Sequence, residues 1–391
     1  MHPSMPDRGE CRTREADPGE EDVAVPLTTA LRTGTLATWC RQRLTGLDQV
    51  ARDVARAAAR APQTTLSGPT PGADSQLVGG IVDARLAALV QPAPPYAALQ
   101  GLLAGQLVSP GAAARIALSF PTHRELPDEV ATVAHTLHPS PREWLQVPAP
   151  AATSTDPPWG DSVFPDLANR GHLFHHEHAP CGQVGTAGAE RALARSYGVW
   201  ALAEAAYRSG HSPRALSALA HRGPVTTETL RAAVPDGSAH EAAALVRALA
   251  TSENLPTLLA WGAERPPEAA GIGYASPTLI PHFADADLLV GTTLLDVKVS
   301  AHAAQPRRVR AWLQQVLGYA WLDVSDRWGI QHVGLVLARQ GLLVRWDLQS
   351  LTAAAFGDTD PLAGVQQFRR LCQTAAHAER KPPFPDDVFS P

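Results

Sequence analysis

The sequence predicts a mixed α/β protein: a mixed sheet core flanked by helices, preceded by a mainly α-helical region. Three features predict this. Helical spacing of apolar residues prevails from Pro26 to about residue 262. Short, closely apolar and β-branched stretches then appear at 287–300 and 331–348. Between them lies one long amphipathic helix. Strand pairs separated by a helix build a layered α/β core rather than a bundle.

The elements follow in order. Residues 1–25 are acidic and Pro-containing and read as disordered. From Pro26 to Arg60, Leu31, Leu36, Trp39, Leu44, Leu47, Val50 and Val54 recur near helical spacing. Residues 61–76 (APQTTLSGPTPGADSQ) are a Pro/Gly/Thr-rich linker. Leu77 to Val90 is a second helix, and short helical pieces follow to about 138. Seven prolines in 139–170 mark a long connection. Residues 26–165 thus read as a helical accessory region, a surface for a protein partner or for substrate, and 166–391 as the domain that carries the chemistry. Within that domain Gly188 to Arg208 is a helix, with Leu193, Tyr197, Trp200 and Tyr207 as its apolar stripe. About 210–265 is a helical insertion of short helices. Asp287–Gly291 and Thr293–Ser300 form a hairpin. Pro306 opens a helix with apolar residues at Val309, Trp312, Leu313, Val316, Leu317, Ala320, Trp321 and Val324. Gln331–Ala338 and Leu342–Leu348 are two further strands around Gln340-Gly341.

Composition narrows the function. Of 391 residues, 45% are hydrophobic, enough for a large core. No run of 18 apolar residues occurs, so no membrane partner is expected. Met1–Asp22 has no apolar centre, so no signal peptide is expected. The four cysteines, Cys11, Cys40, Cys181 and Cys372, form no CxxC, which leads to the expectation of a cytoplasmic protein without a disulfide framework. A net charge of −5 argues against a protein coated in positive charge, while leaving room for a local basic groove. No GxxxxGK[ST], GxSxG or HExxH occurs.

Among 33 basic residues the only lysines are Lys298 and Lys381. In a chain whose ordinary cation is arginine, a lysine within an apolar strand calls for a chemical reason. Asp296-Val297-Lys298 puts an acid and an amine on one face of that strand, and Asp287 or Asp285 supplies a second acid from the strand before. Two carboxylates on a buried face repel unless a cation lies between them. Mg²⁺ or Mn²⁺ suits one or two carboxylates completed by water and phosphate oxygens, with the Val297 carbonyl as a further ligand. Lys298 beside such an ion can orient a water and neutralise a phosphate.

This order of acid, then D-x-K, resembles the PD-(D/E)XK nuclease superfamily, with its restriction-endonuclease-like fold. Gln315-Val316-Leu317-Gly318-Tyr319 on the following helix is similar to the QxxxY motif of its RecB-like and lambda-exonuclease-like branches. Glu190, early on the first long helix of the domain, is similar to the helix acid of that family. The resemblance covers roughly residues 166–350. No proline precedes Asp287, and a helical insertion separates Glu190 from it. The resemblance implies an Mg²⁺-dependent deoxyribonuclease, with RNA open as a substrate and a role in phage defence or DNA repair by analogy. Asp287, Asp296 and Glu190 would hold metal, Lys298 would position water, and Gln315 and Tyr319 would shape the site. A catalytically silent nuclease-like module that binds nucleic acid or a protein is the alternative.

Lys298, His302, Arg307, Arg308 and Arg310 form a stretch with no acid between 297 and 310, suited to a phosphate backbone. Arg339 and Arg345 are expected to extend it. His172, His175, His176, His178 and Cys181 cluster without a closed four-ligand spacing, and read as a polar loop rather than a structural zinc site.

Overall fold

The structure, a computed structural model, describes residues 26–62, 70–105, 107–120, 160–209, 214–220, 224–250, 253–264, 274–280, 283–324, 326 and 328–377. The expected disordered segment 1–25, much of the 61–76 linker, the helical pieces over 121–138 and most of the 139–170 connection lie outside the described residues.

The helical stretch after Pro26 is three helices: α1 (Leu27–Ala30), α2 (Gly34–Arg43) and α3 (Leu47–Arg60). Thr33 is extended and Leu44 leaves the helical region, which breaks the run twice. α4 (Ser75–Val90) begins where the Asp74 carboxylate accepts the Gln76 and Leu77 N–H groups. α5 (Tyr96–Ala104), α6 (Pro110–Leu118), α7 (Val163–His178) and α8 (Ala187–Ser209) follow. α5 and α8 pack so closely that a Cβ on Gly101 would lie 1.9 Å from the Ala203 carbonyl oxygen, so only glycine serves there. The expected insertion comprises α9 (Arg214–Ala220), α10 (Thr227–Ala232), α11 (Asp236–Ala250) and α12 (Asn254–Gly262).

The strands are β1 (Tyr274–Ala275), β2 (Thr278–Ile280), β3 (Ala284–Asp285), β4 (Leu288–Val290) and β5 (Thr293–Lys298). α13 (Pro306–Leu322), β6 (His332–Leu337), β7 (Leu342–Asp347), α14 (Leu348–Phe356) and α15 (Pro361–His377) complete the described chain. One sheet runs β1-β4-β5-β6-β7, and β2 and β3 pair separately. β4 and β5 are an antiparallel hairpin with Leu288 opposite Leu295. β6 returns beside β5 in parallel, Asp296 opposite Leu335, after the crossover through α13. β7 closes antiparallel on β6 through a turn in which Gly341 takes φ +56°. Three short strands at 274–285 are additional to those expected, as are α14 and α15; strands of two or three residues are too short to show a period.

The boundary expected at 165 is not a boundary of the core. Leu27, Leu77, Ile81 and Leu99 belong to the same buried cluster as Leu295, Val316 and Phe368. α4 packs on β1, β4 and β5, and α3 packs on α13. α4 finds its cover on the sheet and α3 on α13; burying a leucine or isoleucine there contributes about 1.5–3 kcal/mol. Among the described residues no helix is long and apolar enough to cross a membrane.

Candidate active site

β5 alternates as its spacing requires: Asp296 and Lys298 share one face, and α13 lies over it. Lys298 Nζ donates to Asp296 Oδ1 at 2.6 Å and to Gln315 Oε1 at 3.5 Å. Gln315 Nε2 donates to the Tyr319 hydroxyl at 3.1 Å. One turn of α13 thus joins Tyr319 through Gln315 to the lysine, because residues four apart stack on a helix. Asp287 sits in the bend just before β4. Its Oδ2 accepts the Val297 N–H at 2.9 Å and lies 3.8 Å from Lys298 Nζ. Of the two candidate acids, Asp285 accepts the Thr278 hydroxyl at 2.8 Å, and Asp287 faces the lysine. Of Val297, the structure shows the N–H engaged with Asp287.

Four residues that belong to no sequence motif complete the site. Asp83, on α4, has Asp287, Glu204, Arg208 and Lys298 as its electrostatic neighbours. Glu204 and Arg208, one turn apart on α8, form an ion pair at 2.6 Å. The Ser276 hydroxyl donates to Glu204 Oε1 at 2.6 Å from a backbone held at φ +54°, a conformation few serines adopt. Asp83 had one legible signal: it is the single acid of α4.

The electrostatics are unbalanced. Burial, then the Asp287 and Glu204 carboxylates, pushes Asp83 well above the ordinary carboxylate range. Burial also pushes Asp296 up, against the pull of Lys298 and with a further push from Asp287. Burial works against the Lys298 ammonium, yet Asp296 and Asp287 outweigh it and hold that amine charged above its usual range. Tyr319 is raised by burial and by Asp287. Asp83, Asp287 and Asp296 face Lys298, so full ionisation leaves two negative charges uncompensated. Asp83 Oδ1 and Asp296 Oδ2 are both buried with no hydrogen-bond partner among the described residues.

Other expected site residues are elsewhere. Glu190 is not at this centre: it accepts Arg85 Nε at 2.9 Å, Arg85 Nη2 at 2.8 Å and the Gly185 N–H at 2.7 Å. Arg85 occupies it, so its early-helix position marks a structural ion pair. Arg310 is also taken: its guanidinium pairs with Asp48 at 2.8 Å and reaches the Cys40, Arg41 and Leu44 carbonyls that end α2. His302, Arg307 and Arg308 are exposed. Arg339 is buried against Glu241 and the Val299 carbonyl, and Arg345 holds Glu264 and lies over the Trp261 ring, so neither extends the basic stretch.

The histidine cluster lies on helix α7 and the turn after it, rather than on a loop. His172 bonds the Ser119 hydroxyl at 3.0 Å; His175 meets the Tyr197 hydroxyl at 2.5 Å and the Ala179 carbonyl at 3.1 Å. Burial and then Arg85 lower His175 to about 4, so the ring is neutral. Among the described residues no three His, Cys, Asp or Glu side chains form a ready-made metal ligand set. No protein-family model matches the chain, and no curated protein or solved structure matches it either.

Proposed function

We propose that this chain is a divalent-metal-dependent phosphodiesterase that cleaves DNA, built on the restriction-endonuclease-like plan. The observation that carries the reading is the convergence of Asp287, Asp296 and Lys298 on one face, with Gln315 and Tyr319 joined to the lysine. The topology supports it: a hairpin bearing the two acids, a crossover helix bearing the glutamine and tyrosine, and a parallel return strand.

The donor set fits a hard dication. Two carboxylate oxygens, Asp83 Oδ1 and Asp296 Oδ2, are buried without a partner among the described residues, and with all three acids ionised the charge surplus equals one divalent ion. The ion would take these carboxylates and complete its shell from water and phosphate, the habit of Mg²⁺. Asp296 and Asp287 would hold it, with Asp83 as the helix acid in place of Glu190. Bound there, Mg²⁺ or Mn²⁺ supplies charge stabilisation to the phosphate under attack. The Val297 N–H fixes the Asp287 carboxylate. Lys298 holds the attacking water and balances phosphate charge, while Gln315, itself held by Tyr319, keeps the ammonium on that line.

The test is cleavage of labelled duplex and single-stranded DNA, and of RNA, with Mg²⁺ or Mn²⁺ and with EDTA. Cutting that needs the metal and is lost in Asp296→Ala supports the reading. Binding of nucleic acid without metal-dependent cutting by the wild type would instead favour a silent binding module.

A further inference from the structure

Arg310 does something more consequential than add charge to a surface. The last carbonyls of a helix carry partial negative charge and repel phosphates. At the end of α2 those of Cys40, Arg41 and Leu44 face the Arg310 guanidinium, at 3.5, 3.5 and 3.3 Å. Arg310 also takes up Asp48, the acid in the first turn of α3, at 2.8 Å. What remains outward on both helices is basic: Arg41 and Arg43 at the end of α2, and Arg307 and Arg308 at the start of α13, all exposed.

We propose that these four arginines form one continuous track that carries the phosphate backbone of the nucleic-acid substrate away from the Asp296–Lys298 centre and onto the N-terminal helices. The inference rests on the phosphodiesterase reading above and names the path its substrate takes.

The geometry supplies the bridge. Arg308 and Gln315 are seven residues apart, hence on one side of α13 and about 10 Å apart along its axis. That is about three nucleotides at 3.4 Å per step. Arg307 stands three residues before Arg310 and so shares the side from which Arg310 reaches the end of α2. The first turn of α13 therefore offers one arginine toward the reacting centre and one toward α2, where Arg41 and Arg43 continue the line. In a chain of net charge −5, attraction to a polyanion must come from such a local feature.

The experiment measures binding of the full chain to a fluorescein-labelled 30-base-pair DNA duplex in EDTA, from 50 to 200 mM NaCl. Arg41→Gln/Arg43→Gln is compared with Arg247→Gln/Arg370→Gln, which removes the same charge from exposed sites on α11 and α15. The track variant should bind about tenfold more weakly at low salt, and its slope of log K on log salt should fall by up to about 2, close to one for each phosphate that an arginine no longer neutralises. The control should keep the wild-type slope. If the wild type binds and cuts while the track variant keeps the wild-type slope, the track is wrong and the phosphodiesterase reading stands. An equal loss in the control overturns the track as well, since net charge then explains the effect. If the wild type neither binds nor cuts nucleic acid, both fall.

Discussion

Replacing Glu190 by glutamine distinguishes two roles that the sequence alone leaves together. In the structure Glu190 is 1% exposed and Arg85 2%, and the carboxylate accepts two guanidinium N–H groups and the Gly185 N–H. Glutamine keeps the shape but brings an NH₂ against a guanidinium and leaves Arg85 buried without a counter-charge. Breaking one side of a buried ion pair costs about 3–5 kcal/mol. That is a large part of the roughly 5–15 kcal/mol that holds a folded protein. A fall in melting temperature of about 4–6 °C follows for a chain of this size. Mn²⁺ affinity, measured by calorimetry on the folded protein at low temperature, should equal that of the wild type. Replacing both partners, Arg85→Leu with Glu190→Leu, should be less damaging than either single change, because no charge is then stranded. Glu190→Gln that melts within about 2 °C of the wild type but loses metal affinity would refute this reasoning and return Glu190 to the site.

Three further outcomes are expected. Lys298→Arg should fold and bind DNA yet cut on the order of 10²-fold more slowly, since a planar guanidinium cannot stand in for a compact ammonium between Asp296 and Gln315; near-wild-type cutting removes Lys298 from the mechanism. Asp83 and Asp296 are both raised in the folded state, so their contribution to stability is complete below the ordinary value of 3.8 and is lost as pH rises through the folded values. Metal-free protein should therefore lose stability with rising pH, Mn²⁺ should restore it, and Asp83→Asn in EDTA at pH 8 should melt above the wild type; melting below it contradicts the charge surplus. Residues 166–391 expressed alone should lack a cooperative thermal transition, because the cut removes Leu77, Ile81 and Leu99 from the shared core; a sharp transition would restore the two-part organisation.

Local rules made much of the site legible. Strand alternation put Asp296 and Lys298 on one face, and helical stacking joined Gln315 to Tyr319. The near absence of lysine singles out Lys298 in the sequence itself. α13 begins at Pro306, as expected, and β6 and β7 fall within a residue or so of the segments read from their apolar runs. These features depend on contacts a few residues apart, which spacing in the sequence expresses directly. The partnerships of Arg85 with Glu190, Arg310 with the end of α2, and Asp83 with Asp287 span 105, about 270 and 204 positions, and no spacing encodes them. A buried charge has to find an opposite charge or a ligand, and which one it finds depends on how the helices pack. The sequence by itself determined the strand-borne acid and lysine and the helix that orients them. Tertiary packing alone decided that Glu190 serves Arg85, that Asp83 faces the centre, and that the N-terminal helices belong to the same core.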